Sequence, residues 1–385
     1  MAYVHETTEW PDFTWDAAAV SGPLAAVRHR QGRLLGRMEG LGFAQQSEAS
    51  LLTLTGDVVK TSAIEGEELD PKQVRSSIAK RLGIDLGGYM SASRDVEGIV
   101  EVMLDATQNH EQDLTAERLF GWHAALFPAG RSGLRRITVG AWRTPEAGPM
   151  QVVSYPVGRE RIHFEAPSAD RLDTEMTSFI AWFNEPTQSD PVIKAAVAQF
   201  WFVTIHPFED GNGRIARAIA DMALARADGT KNRFYSMTSQ IEAERRDYYD
   251  RLEAQQRSTV DLTDWLGWFL GCLDRALDRA EAMLAAVMSK AKVWAVVNRG
   301  PVNDRQRKVL NRLLDGFEGH LTTSNYAKLA KCSADTALRD VRELLDRGIL
   351  KQNPRGGRST SYRLATVEEL SQCAKAGAIM SHRSG

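Results

Sequence analysis

The passage from residue 195 to residue 224 constrains the fold most, because a helical pattern stops abruptly and then resumes. Residues 195–204 are apolar almost all round, which predicts a buried helix. Pro207, Gly211 and Gly213 then break the pattern, since none of them fits comfortably inside a helix. An Ala-rich, strongly helix-forming segment follows from Arg214. The chain must therefore turn between two helices, with the glycines at the N-terminus of the second.

The residues of this turn carry complementary chemistry. Free backbone N–H groups and the positive end of the helix dipole make a helix N-terminus an anion site. Arg214 and Arg217 are three residues apart on one helix face, so we expect both to reach the same anion. Asp210 offers a carboxylate to Mg²⁺ bridging phosphate oxygens, and His206 can take a proton near neutral pH. This combination predicts phosphoryl or nucleotidyl transfer.

The stretch also carries a long sequence motif. From His206 to Arg217 it matches H-P-F-x-[DE]-G-N-G-R-x-x-R at every defined position, and in this the chain resembles the Fic family. The resemblance implies transfer of AMP from ATP to a Ser, Thr or Tyr hydroxyl of a target protein, with release of pyrophosphate. The alternative is a helix-capping loop with a buried histidine and two surface arginines.

The resemblance also implies a role for each motif residue. His206 would take the hydroxyl proton, and Asp210 would hold Mg²⁺ as it arrives with ATP. The other positions would hold the phosphates of ATP: the amides of Gly211, Asn212 and Gly213, the Asn212 side chain, Arg214 and Arg217.

An upstream motif predicts autoinhibition. Gly66 is typical of the residue after a helix C-terminus, which places Glu65 at a helix end, where a carboxylate opposes the dipole. Thr61, Glu65 and Gly66 match the inhibitory motif of the Fic family, [ST]-x-x-x-E-[GN]. The resemblance implies that Glu65 pairs with Arg217 and blocks the γ-phosphate. The alternative is a solvated helix-end glutamate.

Residues 137–166 lose the helical pattern. Strand-like runs are predicted at residues 137–139, 142–144, 151–154 and 161–164. The last two, separated by a turn, form a predicted hairpin, and the resemblance implies a flap that aligns the target as an added strand. Val152, Val153 and Ser154 are the candidates for that docking edge. His163 is predicted to be exposed on the hairpin, and His123 to be a core histidine.

Two tyrosines lie downstream of the motif on a predicted helix. Tyr248 and Tyr249, with Gln256 beyond them, resemble the residues that surround adenine in the family. The family commonly has Asn at the position of Gln256. Core and rim packing is the alternative role of the tyrosine pair.

Residues 301–364 differ from the rest of the chain, with 13 Lys and Arg against 7 Asp and Glu. Their order of helix, turn, helix, strand, basic turn and strand resembles a winged helix-turn-helix. Such a unit would place its second helix in the major groove of DNA, with Arg355 and Arg358 on phosphates. A protein-docking or dimerising module is the alternative.

Length and composition bound the organisation. The chain has 385 residues, 43% of them hydrophobic, and a formal net charge of −2, which allows two or three domains and gives no global sign of nucleic-acid or membrane binding. Cys272, Cys332 and Cys373 have no C-x-x-C spacing, so neither a disulfide framework nor a zinc site is expected. Without a signal peptide or membrane span, a cytoplasmic location is expected.

The fold class expected is mainly α, with a Fic helical core, a β-hairpin flap and a small C-terminal winged-helix domain of α+β type. The predicted domains are residues 1–110 with the inhibitory helix, 111–290 for the Fic core, 300–368 for the winged helix, and 369–385 for a tail.

The function expected is that of a protein adenylyltransferase, with ATP and an unidentified target protein as substrates and Mg²⁺ as metal. One alternative is a hydrolase that removes AMP from a modified protein, with Glu65 positioning a water. Another is a transcription regulator in which the site senses nucleotide and residues 300–385 bind DNA. Homodimer formation and DNA contact through residues 300–368 stay open.

Overall fold

The structure, a computed structural model, describes residues 3–154, 161–186, 189–314, 316–317, 319–354, 360–366 and 368–370. Its chain divides into two compact units, Met1–Met283 and Leu284–Gly385. The protein is mainly helical, as predicted, with small antiparallel sheets. Within the described ranges, no helix combines the length and the apolar character needed to cross a membrane.

Helices make up most of the first unit. They are α1 (Ala17–Glu39), α2 (Phe43–Ile64), α3 (Pro71–Leu82), α4 (Arg94–Gln108), α5 (Ala116–Leu126), α6 (Leu172–Asn184), α7 (Pro191–Ile205), α8 (Asn212–Asp228), α9 (Met237–Ala243), α10 (Arg245–Gln256) and α11 (Thr263–Val297), the last of which extends past residue 283.

The predicted buried helix is α7, and it begins earlier than expected. The Asp190 side chain caps it by accepting from the Val192 N–H, and Pro191 occupies the first helical position, where a missing N–H costs nothing. Nearly every residue of α7 is buried, and the helix packs along α8 in the centre of the unit. The pair therefore supplies the rigid support for the turn between them.

Short strands flank the helical core. Strands β1 (Arg131–Ser132) and β2 (Arg135–Arg136) form one hairpin, and β3 (Gln151–Ser154) and β4 (Arg161–Glu165) form another, with a bulge between Val152 and Val153. The predicted flap hairpin is therefore present, and its turn at 155–160 lies outside the described residues.

The strands predicted at 137–139 and 142–144 are wrong. The Ile137 N–H donates to the Gly130 carbonyl, and two further backbone groups bond to the motif loop instead of a neighbouring strand. The Thr138 N–H donates to the Glu209 carboxylate, and the Arg143 N–H donates to the Pro207 carbonyl. A β-branched, aromatic run therefore adopts an irregular path because its hydrogen-bond partners are on a loop.

The N-terminal segment packs on the helices of the first unit through its aromatic residues. The Trp10 and Phe13 rings make edge contacts with Trp201 of α7 at centroid distances of 6.3 and 5.5 Å. His5 donates through Nε2 to the Glu165 carbonyl at 2.8 Å. The segment therefore contacts both the central helix and the base of the flap.

The second unit contains α12 (Asp304–Leu314), β5 (Leu321–Thr322), α13 (Thr323–Ala330), α14 (Ala334–Asp346), β6 (Leu350–Gln352) and β7 (Ser361–Leu364). The strands form an antiparallel sheet in the order β5-β7-β6, over a core that includes Leu310, Tyr326 and Val341. Arg355, Arg358 and residues 371–385 of the expected tail lie outside the described residues. The winged helix-turn-helix assignment stays a prediction.

Candidate active site

The C-terminus of α7 sets the position of His206. His206 has φ 53° and ψ 56°, in the left-handed region that non-glycine residues rarely adopt. Its N–H still donates to the Phe202 carbonyl at 3.1 Å, so the helix ends by reversing direction at this residue. The reversal carries the chain into the loop that connects α7 to α8.

The His206 ring has a defined tautomer. Nδ1 lies 3.1 Å from the Val203 carbonyl oxygen, and because a carbonyl only accepts, Nδ1 must carry the hydrogen. The lone pair is then on Nε2. Burial lowers the pKa of His206 to about 4, so the ring is neutral at physiological pH and Nε2 can accept a proton.

The loop after His206 is held by its own side chains. Gly211 has φ 80°, and a β-carbon there would meet the Phe127 ring. Asn212 accepts from the Phe208 N–H at 2.9 Å and donates to the Phe208 carbonyl at 2.8 Å. The Asn212 side chain therefore braces the loop, and the phosphate contact expected of it stays a prediction. The backbone amides at the start of α8 remain as the anion-binding groups.

A cavity of about 570 Å³ opens at this loop. It is lined by most residues that the sequence singled out: Glu65, Val152, Val153, His206, Asp210, Gly211, Asn212, Gly213, Arg217, Tyr248, Tyr249 and Gln256. Ser154 lies in β3, paired with Arg161. The volume lies within the range of sites that enclose small ligands.

The two motif arginines face different cavities, contrary to the expectation that they share one anion. Arg217 lines the 570 Å³ cavity, whereas Arg214 lines a neighbouring one of about 390 Å³ with Ser132 and Glu67. Each arginine is buried and keeps one nitrogen without a hydrogen-bond partner among the described residues, Nη1 of Arg217 and Nε of Arg214. Such orphaned donors suit a phosphate oxygen.

Arg217 is bound to the end of α2. Its Nη2 donates to Glu65 Oε1 at 2.7 Å, and its Nε donates to Thr61 Oγ1 at 2.8 Å. A β-carbon on Gly213 would collide with Glu65 Oε1, so that carboxylate lies against the backbone at the start of α8. Glu65 thus occupies the predicted anion site.

Arg214 has a carboxylate partner as well, which the sequence did not reveal. Its Nη1 donates to Glu67 Oε2 at 2.8 Å, and its guanidinium lies over the Phe127 ring. Gly66, with φ 86°, lies between the two glutamates and lets the chain turn there. The acidic sequence E-G-E after α2 is the signal that could have indicated a second partner.

Asp210 carries the carboxylate nearest the predicted phosphate site. Its Oδ1 accepts from the Gly211 N–H at 2.5 Å, and its Oδ2 accepts from the Ser132 hydroxyl. The described ranges hold no cluster of three or more His, Cys, Asp or Glu suited to a resident metal. A lone carboxylate still fits Mg²⁺ that arrives on ATP, since that ion commonly takes one or two carboxylates plus phosphates.

The flap strand β4 is fixed to α10. His163 Nδ1 lies 2.6 Å from Glu253 Oε2, and Arg257 donates to the His163 carbonyl at 2.8 Å. His163 is therefore partly buried beside the cavity and not exposed as predicted. With β4 held by α10, the edge of β3 opposite β4 is the one suited to a further strand.

The tyrosine pair and Gln256 form one wall of the cavity. Tyr248 is 1% exposed and Tyr249 38% exposed, with ring centroids 5.1 Å apart. Gln256 Nε2 donates to Thr204 Oγ1 at 3.4 Å. Tyr248 also packs on Trp268. The pair therefore combines core packing with a face toward the cavity.

These features define a helical domain in which a neutral histidine, a helix N-terminus and a buried arginine line one cavity. Residues 113–224 match the model of the Fic/DOC family, and residues 3–84 match that of a domain of unknown function, DUF4172. Residues 113–224 are therefore similar to the Fic/DOC family, as the motif indicated.

The relatives named protein adenylyltransferase Fic are similar at modest identity. The protein from Culex quinquefasciatus is 27% identical over 220 residues, which are 56% of this chain and 39% of that protein. The protein from Nematostella vectensis is 31% identical over 114 residues, 29% of this chain and 25% of that protein. The chain thus spans less than half the length of these relatives.

A solved structure shows the same fold. A Fic family protein from Desulfovibrio desulfuricans G20 superposes with a TM-score of 0.53 at 19% identity. The match covers 92% of this chain and 98% of the other. The expected Fic fold is thereby confirmed.

Proposed function

We propose that this protein is an autoinhibited protein adenylyltransferase that moves AMP from ATP to a hydroxyl side chain of a target protein. The observation that carries the proposal is one cavity that joins His206, the start of α8 and Arg217. When a hydroxyl attacks a phosphorus atom, the reaction requires a proton acceptor and groups that stabilise negative charge, and the cavity offers backbone amides and a buried guanidinium for the second task.

The balanced reaction assigns a task to each group. The target hydroxyl oxygen forms a bond to the α-phosphorus, the bond from that phosphorus to the bridging oxygen of the β-phosphate breaks, and pyrophosphate leaves. His206 Nε2 takes the hydroxyl proton. The amides of Asn212 and Gly213 stabilise the phosphate oxygens, and Arg217 neutralises the phosphates in its own cavity. The unpaired Nε of Arg214 takes a different phosphate oxygen, at the neighbouring cavity. Mg²⁺ arrives with ATP, and Asp210 would hold it there.

The α2 segment would keep this enzyme in an inactive state. Glu65 is bound to Arg217 and lies against Gly213, where a phosphate oxygen of a productive nucleotide would bind. Nucleotide could still enter the cavity with its phosphates displaced, because a misplacement of about 1 Å can cost about 10²-fold in rate. Inhibition therefore does not require loss of ATP binding.

Radiolabelled ATP tests the function directly. We expect Glu65→Gly to transfer label from α-³²P-ATP to proteins of a lysate or to itself, and γ-³²P-ATP to give no labelling. The Glu65→Gly/His206→Ala protein is the matched control and should show no transfer with either nucleotide. Labelling from γ-³²P-ATP, or equal labelling by both proteins, would contradict the proposal.

Removal of AMP from a modified protein is the second candidate, and the position of Glu65 favours it. Its carboxylate lies inside the nucleotide cavity, where it could orient a water for attack on the phosphorus. If so, the wild-type protein should release AMP from a target labelled by Glu65→Gly, and Glu65→Gln should not. Retention of label with both proteins would exclude this activity.

A further inference from the structure

Arg143 binds the backbone of the histidine turn from outside the motif. Its Nε donates to the His206 carbonyl at 2.9 Å, and its own N–H donates to the Pro207 carbonyl at 2.9 Å. One residue therefore holds two consecutive carbonyls at the point where the chain reverses. Neither bond depends on a motif side chain.

The burial of Arg143 indicates that these contacts are specific. The residue is 3% exposed, and among the described residues its guanidinium donates to two backbone carbonyls and pairs with no carboxylate. Burial lowers the pKa of Arg143 to about 10, so it remains charged. A buried, unpaired charge is costly unless its donors are used. Here they are used on backbone carbonyls.

The third contact of Arg143 reaches the flap. Its Nη2 donates to the Pro167 carbonyl, two residues after β4. The neighbouring Trp142 packs on Phe208 with ring centroids 5.0 Å apart. The segment 142–143 thus connects the end of the flap to the motif loop.

We propose that Arg143 is a positioning residue that holds His206 in its left-handed conformation and so presents Nε2 to the reacting hydroxyl. A non-glycine residue in this conformation is strained, and its surroundings must hold it there. Without the Arg143 side chain, the His206 backbone leaves the left-handed conformation. The Nδ1–H then loses its hydrogen bond to the Val203 carbonyl, and the imidazole no longer keeps one tautomer. The expected effect on kcat rests on the proposed transferase function, whereas the expected effect on the His206 tautomer does not.

The chain offers a matched control in Arg226, in the last turn of α8. Its nitrogens also bind backbone carbonyls only, those of His110, Gln112 and Phe183, and burial also lowers its pKa. It lies about 20 Å from the start of α8 at 1.5 Å per residue. Arg226→Lys therefore removes the same kind of contact without touching His206.

The test compares Arg143→Lys and Arg226→Lys in the full chain carrying Glu65→Gly. We expect Arg143→Lys to lower kcat for AMP transfer by about 10- to 100-fold, as for a misplacement near 1 Å. ATP affinity should stay within about threefold, because the amides of α8 and Arg217 are untouched. Arg226→Lys should lower the melting temperature comparably and keep kcat within about twofold.

Histidine ¹⁵N NMR supplies a readout independent of transfer, with the His206 signals assigned by loss in His206→Gln. The parent should show the Nδ1–H tautomer, Arg226→Lys should retain it, and Arg143→Lys should show a mixture. A retained kcat, an unchanged tautomer, or an equal kcat loss in Arg226→Lys would overturn the inference. If the parent transfers no AMP, the proposed function fails, and the tautomer alone decides the role of Arg143.

A folding defect is also decisive. If Arg143→Lys does not fold, Arg143→Gln, which retains an N–H donor, replaces it in both measurements. Failure of both variants to fold, while Arg226→Lys folds, would assign Arg143 to stability alone and overturn the positioning role.

Discussion

Two histidines near the motif loop share a lowered pKa but differ in their access to the cavity. Burial lowers the pKa of both His123 and His206 to about 4. His123 is fully buried and stacks on Phe208 at 4.2 Å, as expected of the core histidine that the sequence predicted. His206 lines the cavity. A lowered pKa alone therefore does not identify the base, and access to the cavity does.

The pKa of His206 sets the acid side of the pH profile. In the Glu65→Gly protein, we expect AMP transfer to stay nearly constant from pH 8 to pH 6, because His206 stays neutral until the pH approaches 4. If His206 had the usual pKa near 6.5, the enzyme would lose half its activity when the pH fell to about 6.5. Initial rates across the range check this, and a midpoint near 6.5 would contradict it.

Removal of the base should slow the chemical step. His206→Ala should lower transfer by about 10²–10⁴-fold in the Glu65→Gly protein and leave ATP binding nearly unchanged. His123→Gln is the control, because it replaces the other buried histidine without removing the base. Equal losses in kcat for the two proteins would mean that packing, not proton transfer, explains the effect.

Asp210 and Glu209 separate metal binding from loop structure. Glu209 binds Arg135 and the Thr138 N–H on the side of the β1–β2 hairpin, whereas Asp210 lies at the start of the α8 turn. We expect Asp210→Ala to abolish the Mg²⁺ dependence of transfer together with transfer itself. Glu209→Ala should keep the parent's dependence on Mg²⁺ in a metal titration. The same Mg²⁺ response in Asp210→Ala and the parent would exclude the metal role.

The segment at the end of α2 forms ion pairs with both motif arginines. Glu65 and Glu67 follow the helix on either side of Gly66 and pair with Arg217 and Arg214. Arg217 and Arg214 are nearly fully buried, while the Glu67 side chain is 49% exposed. The Glu67 pair is therefore expected to contribute less than the Glu65 pair, because solvent screens it.

The difference in exposure between the two ion pairs predicts which substitution raises the rate more. Glu65→Gly should raise AMP transfer at least tenfold, and Glu65→Gly/Glu67→Gln should raise it a further two- to fivefold, since a surface pair is worth up to about 1 kcal/mol. Glu68→Gln changes an adjacent exposed glutamate and should leave the rate unchanged. Self-modification at fixed ATP and Mg²⁺ measures all of these. Equal rates for wild type and Glu65→Gly would make Glu65 a solvated helix-end residue.

Sequence reasoning predicted elements better than it predicted contacts between them. The helix end before Gly66 follows from local chemistry, and the structure confirms it. The strands at 137–139 failed because their partners are loop groups more than 60 residues away. Glu67 and Arg143 were missed for the same reason, since each binds a residue that is distant in sequence.

Across the first unit, a buried charge cluster connects α2 to α8, the helix that begins at the candidate site. Asp57 of α2 bonds to the Ser236 hydroxyl, and Asp221 of α8 pairs with Arg233. Asp228 shares the same arginine. Burial raises the pKa of all three aspartates, because one guanidinium cannot compensate three buried carboxylates.

The cluster predicts how stability depends on pH. A carboxyl with a raised pKa binds more protons when folded, so its stabilising effect is lost as pH rises from about 4 toward the folded pKa. We follow the melting transition that nucleotide shifts, which reports on the first unit. We expect its melting temperature to fall in wild type as the pH rises from 5 to 8, and to fall less in Asp57→Asn. Asp12→Asn, at an exposed aspartate, should follow wild type. Parallel curves for wild type and Asp57→Asn would contradict the assignment.

The two helices and two strands from α13 to β7 were predicted from local patterns, whereas α12 and β5 were not. The order of α13, α14, β6 and β7 follows the sequence periodicity. DNA contact depends on where basic side chains lie relative to one another. Both arginines named for it, Arg355 and Arg358, fall outside the described residues. The choice between DNA and a protein partner therefore stays with the sequence prediction.

The central claim is that one site transfers AMP and that Glu65 restrains it. The most direct test is mass spectrometry of wild type, Glu65→Gly and Glu65→Gly/His206→Ala after incubation with ATP and Mg²⁺. We predict that Glu65→Gly gains the mass of AMP on a hydroxyl side chain and that the other two proteins gain little or none. AMP on none of the three, or equally on Glu65→Gly and the double variant, would contradict it.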